Sequence, residues 1–236
     1  MPVVTVQEEL IVISFHIIYM NKLFIDIETL PADENSQSKL EYLFKRQLEK
    51  KSRKKDVVEE VEIEGKIADK FEDYFLKTSF DGGFGRVLCV AYAINDENTQ
   101  VICNPEDESK TLQEFWLITE KSDLFIGHNI MNFDLTFLYQ RSIVLNIKPS
   151  KDLSFARYRS SPIFDTMCEW SKWGFQKNVG LEHIALALGL PTPKDGIDGS
   201  EVYDFFKRGK VKEICDYCMR DVETTRQIYK RMTFET

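Results

Sequence analysis

No stretch rich in proline, glycine or serine interrupts these 236 residues, and no internal repeat is evident. A chain of this length can bury one substantial core, so the missing linker argues for a single domain. No apolar run suits a membrane either. Leu10 to Met20 is the sole candidate, and it falls far short of the roughly 20 residues that a spanning helix needs. That run has Glu8 and Glu9 before it where a secretory leader would be basic, and no small-residue cleavage site follows; the expectation is a cytoplasmic protein. Because Met20 stands just ahead of the first clear strand, residues 1–19 read either as a translational extension or as a dispensable arm. The five cysteines are odd in number and scattered through apolar segments, which suits a reducing compartment. Cys215 and Cys218 make a Cys-x-x-Cys, but no second pair and no His pair stands at ligand spacing. They therefore read as helix residues at i and i+3, not as a zinc site. Positive charge is also short. A formal net charge of -8 speaks against nucleic acid as a partner, unless several acids are metal ligands and bound divalent ions reverse the local sign.

What is present is a globular composition, 43% hydrophobic and 30% charged. It contains one local contradiction. The stretch KLFIDIETL, residues 22 to 30, reads as an apolar strand, yet Asp26 and Glu28 stand two places apart and so project from the same face. Ionised carboxylates need water, a partner or a metal, and crowding two of them is costly without a compensating cation.

Beyond that strand, alternating charges with Leu, Tyr, Phe and Val at helical intervals predict one or two solvated helices, a charged insertion near 36–79. Its basic cluster from Lys45 to Lys55 could touch a phosphate backbone, but acids follow immediately and a solvated helix face explains it better. Gly82, Gly83 and Gly85 do not lead from strand into helix and read as turn residues. A strand from Arg86 to Ile94, a turn over Asn95 to Asn98 and the strand in NTQVICN follow. Next come an amphipathic helix starting near Ser109, a short buried strand in DLFIGHN and a helix over MNFDLTFLYQRSI. The last third reads as mainly helical. GLEHIALALGL ends at Pro191, SEVYDFFKRG is capped by Ser200 and closed by Gly209, and a long helix covers VKEICDYCMRDVETTRQIYKRM. Alternating strands and helices after a meander predict an α/β fold with a mixed sheet.

The contradiction of the first strand recurs twice. Asp134 stands at the start of an apolar helix just past His128 and Asn129, and Tyr217 and Asp221 share a helix face four residues apart. Singly, each has an ordinary explanation, Asp134 as a first-turn acid and Tyr217 with Asp221 as a surface pair. Together the order DIET, HNIMNFD, YCMRD resembles the DEDD superfamily of 3′-to-5′ exonucleases, from Leu23 to Met232. Tyr217 lies four places before Asp221 and Asp216 occupies the alternative His place, so the chain looks like the tyrosine subgroup. FDTM, GIDGSEVYDFF and ICDYCMRDVETT further resemble the proofreading exonuclease domain of family-B DNA polymerases in a stand-alone form.

The resemblance implies an RNase H-like fold over residues 20–236, with a mixed central sheet flanked by helices. It implies two divalent ions, Mg²⁺ or Mn²⁺, held by Asp26, Glu28, Asp134 and Asp221, with Tyr217 orienting the attacking water. It further implies contacts to the terminal nucleotide from Asn129, Phe133, Thr29, Leu30 and His128. Metal charge in place of hydration would resolve the crowding of carboxylates. Asp165 reads as holding a loop beside the site, His183 as structural, and Trp170 and Trp173 as packing residues in preference to a base-stacking shelf. The expected substrate is single-stranded DNA or a frayed 3′ end, released as nucleoside monophosphates. An RNA-trimming enzyme of the same fold and a catalytically silent nucleic-acid-binding module are the competing readings, and the presence of all four acids and the tyrosine disfavours the latter.

Overall fold

The computed structural model describes residues 20–52, 63–174, 179–192 and 196–235. The expectations for residues 1–19, and for the basic cluster past residue 52, fall outside the described residues.

In chain order the elements are β1 (Lys22–Leu30), α1 (Gln37–Ser52), α2 (Ile63–Leu76), β2 (Arg86–Ile94), β3 (Gln100–Cys103) and α3 (Glu108–Thr119). They continue with β4 (Leu124–Gly127), α4 (Asp134–Val144), β5 (Ile163–Asp165), α5 (Thr166–Trp170), α6 (Leu181–Ala187), α7 (Val202–Lys207) and α8 (Val211–Thr233). The sheet order is β3-β2-β1-β4-β5. The first three strands form an antiparallel meander, while β4 pairs parallel to β1 and β5 parallel to β4, so the sheet is mixed as expected.

Strand β1 is central because apolar side chains leave both of its faces. Leu23, Ile25 and Ile27 enter a core with Phe115 of α3 and Leu135 and Leu138 of α4. Phe24 points the other way, into a core with Ile214, Cys218, Val222 and Tyr229 of α8. Each fully buried side chain of this size stabilises the fold by roughly 1.5–3 kcal/mol, which makes the two-sided burial of β1 its main anchor. Asp26 and Glu28 share the parity of Phe24 and are therefore carried under α8. Helix α8 lies across β1 to β4 because Ile214, Cys218, Val222, Thr225 and Tyr229 recur at three- and four-residue steps.

Helices α1 and α2 arise from the charged segment and pack on each other through Phe44, whose ring centroid lies 5.4 Å from that of Phe71 and 5.3 Å from that of Tyr74. The turn after α2 needs Gly85, since a Cβ there would come within 2.3 Å of the Thr78 carbonyl oxygen. Helices α3 and α4 are clasped by Arg141, which donates to both carboxylate oxygens of Glu108 at 2.8 and 2.7 Å, while Glu108 also accepts from Val87 N–H at 2.7 Å.

Helix α3 begins at Glu108, beside the expected Ser109, with Asp107 accepting from Lys110 N–H as its cap. Three other boundaries differ from the sequence expectation. Ser200 is not the cap of the next-to-last helix. Asp198 caps a short 3₁₀ turn reciprocally with Glu201, and α7 starts only at Val202. Helix α6 stops at Ala187 because Gly189 turns left-handed at φ +69°, before Pro191 is reached. Helix α4 begins at Asp134, three residues later than the apolar pattern suggests.

Candidate active site

The late start of α4 is what delivers Asp134. Past β4 the chain turns sharply, with Asn129 left-handed at φ +59°. Asp165, fully buried at the end of β5, accepts the N–H groups of Asn129 and Met131 at 3.1 and 3.2 Å as well as those of Met167 and Cys168 on α5. It thus holds the loop beside the site, as its position suggested. Strand β4 pairs with β1 only over Lys22 to Phe24, so the β1 edge beyond is open and Ile27 N–H donates to Asp134 Oδ1 at 3.1 Å. A first-turn acid of α4 is thereby pinned to the strand that carries the other two carboxylates.

On the opposite side, α8 presents Tyr217 and Asp221 one turn apart. Asp26, Glu28, Asp134, Tyr217 and Asp221 line a single cleft of about 410 Å³, so the three separate motifs meet in space. Burial raises the pKa of Asp26 and Glu28 well above the ordinary carboxylate value. Their acidic neighbours, Asp221 and Asp134 for both, push the same way. Asp134 is raised to about 7, chiefly by burial and in spite of the N–H donated by Ile27. Burial, reinforced by the charges of Asp221, Glu28 and Asp26, also raises Tyr217 and keeps its phenol protonated. Like-charged groups raising one another's pKa are what a site built for added positive charge looks like before that charge arrives. The donors are hard oxygens, so a divalent cation fits them.

Cysteine enters this centre unannounced by the motifs. The Cys218 thiol donates to Asp26 Oδ2 at 3.3 Å, and among the described residues the one trio of candidate ligand atoms lying within 4.8 Å of one another is Asp26, Glu28 and Cys218. The i, i+3 relation of Cys218 to Asp221 could have flagged it, since both must face β1. Cys215 is buried in the same core, as a helix residue should be.

The expected nucleotide contacts divide. Thr29, His128 and Phe133 line the cleft. The Thr29 hydroxyl is engaged with the Ser79 carbonyl at 2.7 Å, and His128 Nε2 lies 2.8 Å from the Val179 carbonyl, so this nitrogen carries the proton. Burial lowers the His128 pKa, leaving a neutral ring. Leu30 does not reach the cleft. It is 1% exposed in the core against α8, where its shared parity with Phe24, Asp26 and Glu28 carries it, past the acids and into apolar packing. Asn129 is also absent from the walls, its side chain accepting from Asn132 within the turn. Trp170 is not core either, being 38% exposed, and Trp173 donates to Glu169.

Other walls had no sequence signal. Phe80 is 71% exposed, with its ring 6.1 Å from that of Phe133, and the end of α2 and the start of α7 add Asp73, Lys77 and Tyr203. None of the described helices is long and apolar enough to cross a membrane.

Comparison with known proteins places these features. In solved structures the chain resembles the family B DNA polymerase of the hyperthermophilic archaeon Pyrobaculum calidifontis, with TM-score 0.61 and 15% identity over 91% of this chain. That likeness shows the fold, RNase H-like, and the chain spans only 24% of the polymerase. An uncharacterized protein of Methanocaldococcus jannaschii, MJ0365, is 27% identical over 154 residues, 61% of this chain and 84% of that protein. The model of a family described as a predicted 3′-5′ exonuclease related to the exonuclease domain of PolB matches residues 75–236. Strand β1, with Asp26 and Glu28, precedes the matched stretch and joins it through the sheet. On that match the chain belongs to the family of predicted 3′-5′ exonucleases related to the exonuclease domain of PolB.

Proposed function

We propose that this protein is a metal-dependent 3′-to-5′ exonuclease that trims single-stranded DNA or frayed 3′ ends to nucleoside monophosphates. The observation that carries the reading is the convergence of Asp26, Glu28, Asp134, Asp221 and Tyr217 on one cleft from three distant segments. Asp26, Glu28, Asp134 and Asp221 would hold two divalent ions, Mg²⁺ or Mn²⁺, which supply an activated water and neutralise charge on the phosphate. Asp134 is set in place by the Ile27 N–H, and Asp26 is braced from behind by the Cys218 thiol. Tyr217, whose proton is held tightly, positions the water by hydrogen bonding and does not act as its base. Phe133 and Phe80 offer ring faces on which an unpaired terminal base can stack, which a paired base could do only after fraying. The neutral His128 supports the cleft wall through Val179. All five cysteines are free thiols, in keeping with a cytoplasmic location.

The test is degradation of matched DNA and RNA oligomers labelled at either end, with Mg²⁺, Mn²⁺ or EDTA, by wild type and Asp26→Ala. Metal-dependent release of mononucleotides from the 3′ end, lost in Asp26→Ala, is expected, and the preferred sugar separates DNA from RNA trimming. Folded protein that cleaves neither polymer would refute the reading in favour of a silent binding module.

A further inference from the structure

Helix α1 lies ahead of the residues 75–236 that match the family, and no residue of it has a part in the chemistry above. Its inner face is settled: Leu40 and Phe44 are buried, the latter against α2. Its outer face is not spent on the fold. Lys39, Tyr42, Arg46 and Lys50 are all exposed and, at steps of three and four residues, form one stripe on the side away from Leu40 and Phe44. Tyr42 is 59% exposed, with the Arg46 guanidinium 5.7 Å from its ring centroid, so the stripe joins three cations to an exposed ring. Glu49 flanks it and half-buried Glu41 lies off the stripe, whereas on α2 the exposed acids Asp69, Glu72 and Asp73 outnumber the exposed Lys70. In a chain of net charge -8, that segregation gives a basic strip with a matching polyanion as its natural occupant.

The strip is also in the right place. Pro31, six residues before α1, lines the cleft, and Phe44 rests on Tyr74, the neighbour of cleft-lining Asp73. Helix α1 therefore begins six residues from the cleft wall and packs on the helix that carries part of it, and Lys39 to Lys50 spans about 16 Å of its length.

We propose that the outer face of α1 is a second nucleic-acid contact, gripping the single strand upstream of the nucleotide that occupies the cleft. Lys39, Arg46 and Lys50 pair with backbone phosphates, and Tyr42 with Arg46 supplies a stacking surface that tolerates any base. This rests on the exonuclease reading only in assigning the 3′ end to the cleft. It makes long strands better ligands than short ones.

The experiment is fluorescence anisotropy of labelled oligothymidylates, one long and one dinucleotide, titrated with full-length protein in EDTA at several salt concentrations. Wild type is compared with a Lys39→Ala, Arg46→Ala, Lys50→Ala triple variant and with Tyr42→Ala. For the triple variant the affinity for the long strand should fall about tenfold or more at low salt. The slope of log affinity against log salt should shrink by about 2, three contacts at about 0.7 each. Dinucleotide binding, and dinucleotide cleavage assayed separately with Mg²⁺, should be unchanged, and Tyr42→Ala should weaken long-strand binding without altering the slope. Unchanged long-strand affinity and slope in the triple variant would overturn the proposal, and so would an equal loss for the dinucleotide, which places the defect in the cleft. Since the replaced residues are exposed, a urea midpoint equal to wild type checks folding, and Arg46→Glu gives a single-site version of the same comparison. Failure of the exonuclease reading would show separately, as absent cleavage in the Mg²⁺ assay with length-dependent binding intact.

Discussion

Replacing Asp134 with Asn should stabilise the metal-free protein, and by an amount that depends on pH. Asp134 is 3% exposed, and its pKa is raised from 3.8 to about 7, mainly by burial. Between those two values the folded protein binds a proton that the unfolded chain has already released, so stability declines as pH rises through the interval. The cost is absent below the unfolded value and complete above the folded one, where it reaches at most about 4 kcal/mol. Asparagine keeps an Oδ1 able to accept the Ile27 N–H, now 3.1 Å from Asp134, but carries no charge. Urea unfolding in EDTA should find the variant ahead of wild type by up to ~4 kcal/mol near pH 8 and by less than about 1 kcal/mol near pH 4. Saturating Mg²⁺ or Mn²⁺ should narrow the gap, because wild type gains about 2.7 kcal/mol at a hundred times its dissociation constant and the variant, one ligand short, gains less. A variant no more stable than wild type at pH 8, or a gap independent of pH, refutes the reasoning.

Tyr217→Phe keeps the ring and loses the phenol, so kcat should fall by up to about 10²-fold with little change in KM, and the wild-type pH–rate profile should show no phenol ionisation up to about pH 9. Phe80→Ala removes an exposed ring and should leave the urea midpoint alone while weakening substrate by about 1–3 kcal/mol, read as a rise in KM; an unchanged KM would remove Phe80 from the substrate path. Arg141→Ala leaves the partly buried Glu108 without its cation and should cost up to about 3 kcal/mol of unfolding free energy, whereas loss of activity at full stability would contradict its role as a clasp between α3 and α4.

The parts of this architecture that were legible from sequence are those fixed by local periodicity. The period-two placement of Asp26 and Glu28 on an apolar strand, and the four-residue step from Tyr217 to Asp221, already determine which side chains share a face. The remaining cleft walls were illegible because they depend on packing between distant segments. Leu30 shares the face of Asp26 and Glu28 and looks like a strand-end neighbour of the site, yet it is buried in the apolar core against α8. Asn129 belongs to a motif, but its role as a left-handed turn residue depends on Asp165, 36 residues away. Cys218 meets Asp26 across 192 residues, and the exposure of Phe80 follows from a turn that no pattern marks.

The brief pairing of β4 with β1 makes sheet register and the assembly of the acidic cleft a single piece of information. Since Asp134 is pinned to Ile27 and the acids stand at Asp26 and Glu28, the site is written in a reading frame two residues wide. Inserting one residue into β1 ahead of Asp26 would send both acids toward α3 and α4, while inserting two would restore their side. The proposed hydrolysis would then serve as a parity check on how the central strand has docked, reporting a misaligned sheet that bulk spectroscopy of secondary structure would score as native.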